Sequence, residues 1–373
     1  MSTLKVDTLK NGSSSAIDFP QNLKVGGAGV IQGYTVSSSE PSSPTTGDFW
    51  WNSSDEKLYR YINGEFKEIT VAPSVTNYGD RGFSIGDYNE TAADRIHYWD
   101  ISTASNAALF GNLIQNSHIA AACTSGVYAF RCGGSNTNSS SQRVNTIERW
   151  TCATTGNSSD FGDLTATCFW SSGHSDGTTG IVNHGQGSSY NNNIDKFTMA
   201  TAGNATDFGD TTAARSHIAV AANLTRMVNM GGQNASGTKL NTIDYITIAS
   251  AGNATDFGDL IAGNMYHAGM GTGSGNRALS TGGRPASSYY DGIEYIDIDT
   301  PGNATDAGNL LTGIGYHGAT SNATKGHAYG GYSSSGEYGE IQQTILATGA
   351  NATDHGDLLI DDEYQTSTSG NAS

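Results

Sequence analysis

An all-β protein assembled from repeats is what this sequence predicts, and three observations carry the prediction. One phrase, GNATDFGDL, recurs along the chain. Apolar residues sit in short alternating runs, with no amphipathic helical spacing, and glycine is abundant, with 49 residues among 373. Glycine, asparagine and aspartate accept the positive φ that tight turns need, so this composition suits many short strands joined closely.

The phrase occurs six times: SNAALFGNL (105–113), GNSSDFGDL (156–164), GNATDFGDT (203–211), GNATDFGDL (252–260), GNATDAGNL (302–310) and NATDHGDL (351–358). Its glycine falls at Gly111, Gly162, Gly209, Gly258, Gly308 and Gly356, in steps of 51, 47, 49, 50 and 48 residues. Fifteen residues before each glycine stands an isoleucine: Ile96, Ile147, Ile194, Ile243, Ile293 and Ile341. A second glycine column runs through Gly86, Gly133, Gly185, Gly231, Gly282 and Gly330.

Each unit reads as four strands. The first is typified by SHIAVAA (216–222) and the second by RALSTGG (277–283). The third is NTIDYITI (241–248), and the fourth lies around DFGDL. Four antiparallel strands in a period of about 45–50 residues are the pattern of a propeller blade. The expected architecture is therefore a six-bladed β-propeller over residues 76–373. The first unit opens at its second strand, GFSIGDY (82–88), so the C-terminal DEYQTSTSG (362–370) is expected to supply the missing strand and close the ring.

With 18 Lys and Arg against 35 Asp and Glu, the formal net charge is −17, which disfavours nucleic acid and anionic membranes as partners. No apolar run reaches the roughly 18–20 residues that span a bilayer, and the N-terminus lacks the apolar core of a signal peptide. Neither membrane insertion nor Sec-type export is expected. Cys123, Cys132, Cys152 and Cys168 lack metal-type spacing and read as buried free thiols; a disulfide framework is the alternative.

The repeat resembles the kelch family of β-propellers. One unit shows Arg215, His217, Gly231, Gly232 and Tyr245 in the kelch order, and the next shows His267, Gly282, Gly283 and Tyr295. The fourth strand departs from the family, since NATDFGDL replaces its tryptophan, and Gln186 and Asp87 break the second glycine. The resemblance implies the fold and leaves activity open.

Residues 1–75 do not repeat. The opening MSTLKVDTLKNGSSSAIDFPQNLKVGG resembles the start of phage tail-fibre and head-fibre proteins. PSSPTTGDFWWNSSDEKLYRYINGEFKEI (41–69) is similar to a small β-motif of such fibres. That motif reads as a strand with Trp50 and Trp51, a turn at 52–55, a strand with Leu58, Tyr59 and Tyr61, and an Asn63-Gly64 hairpin. Thirty residues bury little core alone, so Trp50, Trp51 and Phe66 are expected to pack against a partner chain or the propeller. The resemblance implies an N-terminal β attachment region in which Trp50, Trp51, Tyr59, Tyr61 and Phe66 hold other virion proteins, capsid or tail. It also implies a homo-oligomer, with a trimer favoured, and a place in the virion after synthesis in host cytoplasm.

No catalytic constellation stands out. The DFGD tetrads lack the other parts of a kinase site, and the pairs Asp207/Asp210 and Asp256/Asp259 lack EF-hand spacing, so both read as a repeated structural turn. His118, His217, His267 and His317 read as one strand position per blade; metal ligation there is weighed against hydrogen bonding to backbone, which is favoured. No cofactor or metal is expected. From the second glycine column to the next isoleucine the distance varies (10, 14, 9, 12, 11 and 11), whereas the segment after it is constant. Variation in one loop set is where recognition is commonly built. Those loops carry Tyr190, Tyr289, Tyr290, Tyr332, Arg143 and Arg284, the candidate ligand-binding residues, suited to a host surface glycan or another subunit. The expectation is a non-catalytic phage virion structural protein. The rivals are a glycan-degrading fibre enzyme and a cytoplasmic kelch-type scaffold.

Overall fold

The computed structural model describes residues 23–24, 30–31, 34–52, 54, 57–62, 64–68, 78–86, 94–136, 142–271, 276–359 and 366–371. Among the described residues every regular element is a strand, and the chain separates into two compact units, Met1–Ser74 and Val75–Ser373.

In the first unit, Phe49–Asn52 pairs antiparallel with Lys57–Ile62, which turns at Gly64 into Glu65–Glu68. Gly64 has φ +88°, which a hairpin turn of this kind asks of glycine. Tyr34–Ser37 adds a parallel strand beside Phe49–Asn52, a partner that four residues are too short to announce in sequence. Trp50 is buried: its ring stacks on Tyr59 at 5.0 Å and meets the edge of Phe66 at 5.3 Å. Its Nε1 donates to the Ser37 hydroxyl at 2.9 Å, and Tyr61 adds an edge contact to Phe66 at 5.1 Å. Trp50 thus finds its cover inside its own unit. The side chains of Trp51 and Leu58, and residues 1–22, lie outside the described set.

The second unit contains six four-stranded antiparallel sheets among the described residues, an arrangement consistent with a β-propeller. Sheet one is Thr366–Gly370, Arg81–Ile85, Arg95–Asp100 and Ala108–Asn112; its first strand comes from the far end of the chain, with Thr366 opposite Ile85 and Gly370 opposite Arg81. Sheet two is Ala121–Thr124, Tyr128–Cys132, Val144–Thr151 and Ser159–Cys168, and sheet three is Ser172–Ser175, Thr179–Asn183, Asn193–Thr198 and Thr206–Asp210. Sheet four is Ala219–Ala222, Arg226–Met230, Thr242–Thr247 and Thr255–Asp259. Sheet five is Ala268–Gly271, Arg277–Thr281, Gly292–Asp297 and Thr305–Asn309, and sheet six is Gly318–Ser321, Lys325–Tyr329, Glu340–Ile345 and Thr353–Asp357. First strands of successive sheets lie side by side, and Thr366–Gly370 packs against those of sheets two and six.

The constant fifteen-residue offset is the register of a hairpin. In every sheet the isoleucine of the third strand lies opposite the glycine of the fourth, as Ile243 does with Gly258, and a bulge follows. All six isoleucines are fully buried. Glycine is required there by the neighbouring sheet. A Cβ on Gly111 would sit 2.0 Å from the Gly156 carbonyl oxygen, and one on Gly258 would sit 2.5 Å from that of Gly302. The second glycine column has φ between +59° and +75° at all six positions, which explains its residue type.

The repeated phrase also holds the sheets together. Its asparagine reaches the preceding sheet and accepts a hydrogen bond from the backbone N–H just after that sheet's glycine. This occurs at Asn157, Asn204, Asn253, Asn303, Asn351 and Asn106, over 3.0–3.1 Å. The last of these joins sheet six to sheet one. The position one past the isoleucine works similarly in five sheets: Glu148, Asp195, Asp244, Glu294 and Gln342 each accept a backbone N–H from the sheet before. Glu148, Asp195, Asp244 and Glu294 are therefore structural clamps.

Candidate functional site

The first strands surround a cavity of about 170 Å3 with small walls such as Ala121, Gly173, Ala219 and Gly269. At its mouth stand Ile119, Trp170, His217, Tyr266 and Tyr316, one from each of five sheets, in the turn that leads into the first strand. Each lies eight residues after the glycine of its repeat phrase; the sixth such position, Tyr364, lies outside the described residues. All five adopt φ of +51° to +60°, a left-handed conformation that side chains with a Cβ rarely take and that concentrates at functional sites.

Their rings form one cluster. Trp170 lies 3.9 Å from His217 and 5.8 Å from Tyr266, and Tyr266 lies 3.7 Å from Tyr316, centroid to centroid. Burial, reinforced by the hydrogen bond with Tyr316, pushes the Tyr266 hydroxyl well above its ordinary pKa. Burial, with His267 nearby, pushes His217 down to about 3, so its imidazole is neutral and its Nδ1 pairs with the Ser216 hydroxyl at 2.7 Å.

The histidines do not share one position. His118, His217 and His267 lie seven, eight and nine residues after their glycines, and His317 matches His267. Only His217 belongs to the ring cluster at the mouth, and all of them precede the first strands, which begin at Ala121, Ala219, Ala268 and Gly318. Histidine thus occupies three different places in the turn before the first strand. His267 pairs with the Ser280 hydroxyl at 2.7 Å and His317 with that of Thr281 at 3.1 Å, and burial lowers both to about 3. Among the described residues no group of three or more His, Cys, Asp or Glu is placed to hold a metal ion. All four cysteines are buried free thiols, with burial raising Cys152 and Cys168 to about 12.

The loops between second and third strands adjoin the mouth, because backbone bridges tie them to the turns that carry it: Ser135 with His118, Gln186 with Phe169, Gln233 with Ser216 and Tyr332 with Gly315. Arg284 lies over the Tyr289 ring at 5.4 Å, and Tyr289 lies 6.1 Å from Tyr332. Tyr190 and Arg284 both act electrostatically on the Tyr266 hydroxyl. These four are drawn toward the mouth. Tyr290 turns away, its ring covering Gly292, where a Cβ would meet it at 2.1 Å. Arg143 lies over Phe169 at 4.6 Å, beside Trp170 in the chain. Sequence reasoning missed Trp170, Tyr266, Tyr316 and Lys239. The first three had a signal, a bulky column at constant distance from the glycine.

No protein-family model matches the chain and no curated protein matches its sequence; neither comparison identifies a kelch repeat or a phage relationship.

Proposed function

We propose that this chain is a non-catalytic virion structural protein of the phage-fibre kind. Its C-terminal unit is a six-bladed, kelch-like β-propeller whose blades are the six sheets, closed by Thr366–Gly370. Residues 1–75 attach it to other virion proteins or to further copies of itself, with Trp50, buried against Tyr59 and Phe66, shaping that attachment unit from within. The mouth and its flanking loops form the recognition face, directed at a host surface glycan.

One observation carries the reading: Glu148, Asp195, Asp244, Glu294 and the asparagines of the repeat bind neighbouring sheets, while partly exposed aromatics and arginine gather at one mouth. A carboxylate that accepts backbone N–H bonds between sheets is poorly placed as a general acid or base, which supports binding over glycan cleavage. Closure is supported by the pairing of Thr366–Gly370 with Arg81–Ile85 and by the Asn106 clasp from sheet one to sheet six. The test is mass spectrometry of particles purified from an infected culture. The chain should copurify with them in several copies per particle, and its absence from washed particles would sink the virion assignment.

A further inference from the structure

The mouth combines three properties that structural packing alone does not demand. First, four of the five described mouth residues are aromatic at a left-handed φ, where glycine would carry no strain. The chain places glycine at that conformation throughout its turns, so aromatic rings at this column are a departure from its own habit. Second, the rings are partly exposed and line a cavity walled by all six first strands. Third, two cations stand together on the loops that adjoin the mouth of a strongly acidic protein, the Arg284 N–H donating to the carbonyl of Met265, next to Tyr266, at 2.9 Å. Lys239 Nζ donates to the Ala286 carbonyl at 2.5 Å, two residues from Arg284, whose Nε donates to the Ser287 carbonyl at 3.1 Å. Among the described residues neither cation has an acidic partner within salt-bridge distance. Burial and the charge of Arg284 lower the Lys239 pKa, as expected for like charges held together.

We propose that the mouth binds the terminal unit of a carboxylate-bearing glycan, the sugar face stacking on Tyr266 and Tyr316 and the carboxylate pairing with Arg284 and Lys239. The inference rests on the reading of this face as the recognition surface and adds the chemical class of its ligand.

The experiment titrates the full chain with sialyllactose and with trigalacturonic acid. Lactose and the methyl ester of the trigalacturonate serve as neutral counterparts, with tryptophan fluorescence and calorimetry as readouts. At least one acid should bind roughly tenfold more tightly than its neutral counterpart, and Arg284→Ala should erase that advantage. Tyr316→Gly removes the ring while relieving the strained φ, so it should abolish binding without lowering the melting temperature. If that variant melts lower, Arg284→Ala and added salt decide the matter, since neither disturbs the core. Equal binding of acids and neutral counterparts, no binding of either acid, or full binding by both variants overturns the proposal. A chain found in particles yet silent toward both acids overturns this inference alone. A chain that binds them but is absent from particles upholds the site and sinks the virion reading.

Discussion

Replacing Gly111 with alanine places a methyl carbon 2.0 Å from the carbonyl oxygen of Gly156 in the adjoining sheet, far inside van der Waals contact. The obstacle is backbone on both sides, so relief requires sheets one and two to separate. Three of the hydrogen bonds that cross that seam flank Gly111: Gly156 N–H to Phe110 O at 3.0 Å, Ser158 N–H to Asn112 O at 2.9 Å, and Asn112 N–H to Asn157 Oδ1 at 3.0 Å. Losing them at about 1 kcal/mol each gives a destabilisation of roughly 3 kcal/mol. In a unit of this size that is a fall in melting temperature of roughly 5–10 °C. Gly156→Ala is the control, because its Cβ would meet nothing within 4 Å. It should be neutral, or stabilising by up to about 1 kcal/mol through reduced freedom of the unfolded chain. Urea and thermal denaturation of the two variants measure both effects. Equal stability of the two proteins would refute the idea that the phrase exists to let neighbouring sheets approach.

Acid should weaken the fold through its buried histidines. Folding holds His267 and His317 neutral down to about pH 3, whereas the unfolded chain protonates them below about 6.5, so their stabilisation is whole above that pH and lost as pH falls from 6.5 toward 3. At pH 5 the loss is about 2 kcal/mol per histidine; His317→Gln should therefore flatten the pH dependence of the urea midpoint, and an unchanged slope would contradict the assignment. Ending the chain at residue 360 removes the strand paired with Arg81–Ile85, together with the Thr366, Ser367 and Ser369 hydroxyl bonds to Ala120, Ala319 and Ser321. Cooperative unfolding should be lost, and a truncated protein that melts like the full chain would refute closure. Asp244→Ala strands the buried Arg215, whose guanidinium lies 2.7 Å from that carboxylate, and should cost about 3–5 kcal/mol. A paired Arg215→Met, Asp244→Leu change should recover most of that loss, and the two denaturation curves decide it.

The sequence alone determined the repeat count, the constant spacing from each isoleucine to its glycine, and a fourth strand around DFGDL, while the reading of DFGD itself as a turn gave way to a strand. These rest on local periodicity and on a backbone conformation that glycine favours, and both recur visibly every 46–52 residues. It also pointed to Tyr190, Tyr289, Tyr332 and Arg284, because loop length varies most there. The tertiary structure decided what those residues meet. Tyr289 and Tyr290 are neighbours in sequence, yet one ring faces Tyr332 and the other covers Gly292, a choice made by the space between sheets. Asn253 is one more residue of the repeated phrase until sheet four is set beside sheet three, where its side chain holds the Asp210 N–H. The mouth cluster joins Trp170, His217, Tyr266 and Tyr316 from four separate repeats. No window of sequence contains two of them, and only the side-by-side arrangement of the first strands brings their rings into contact.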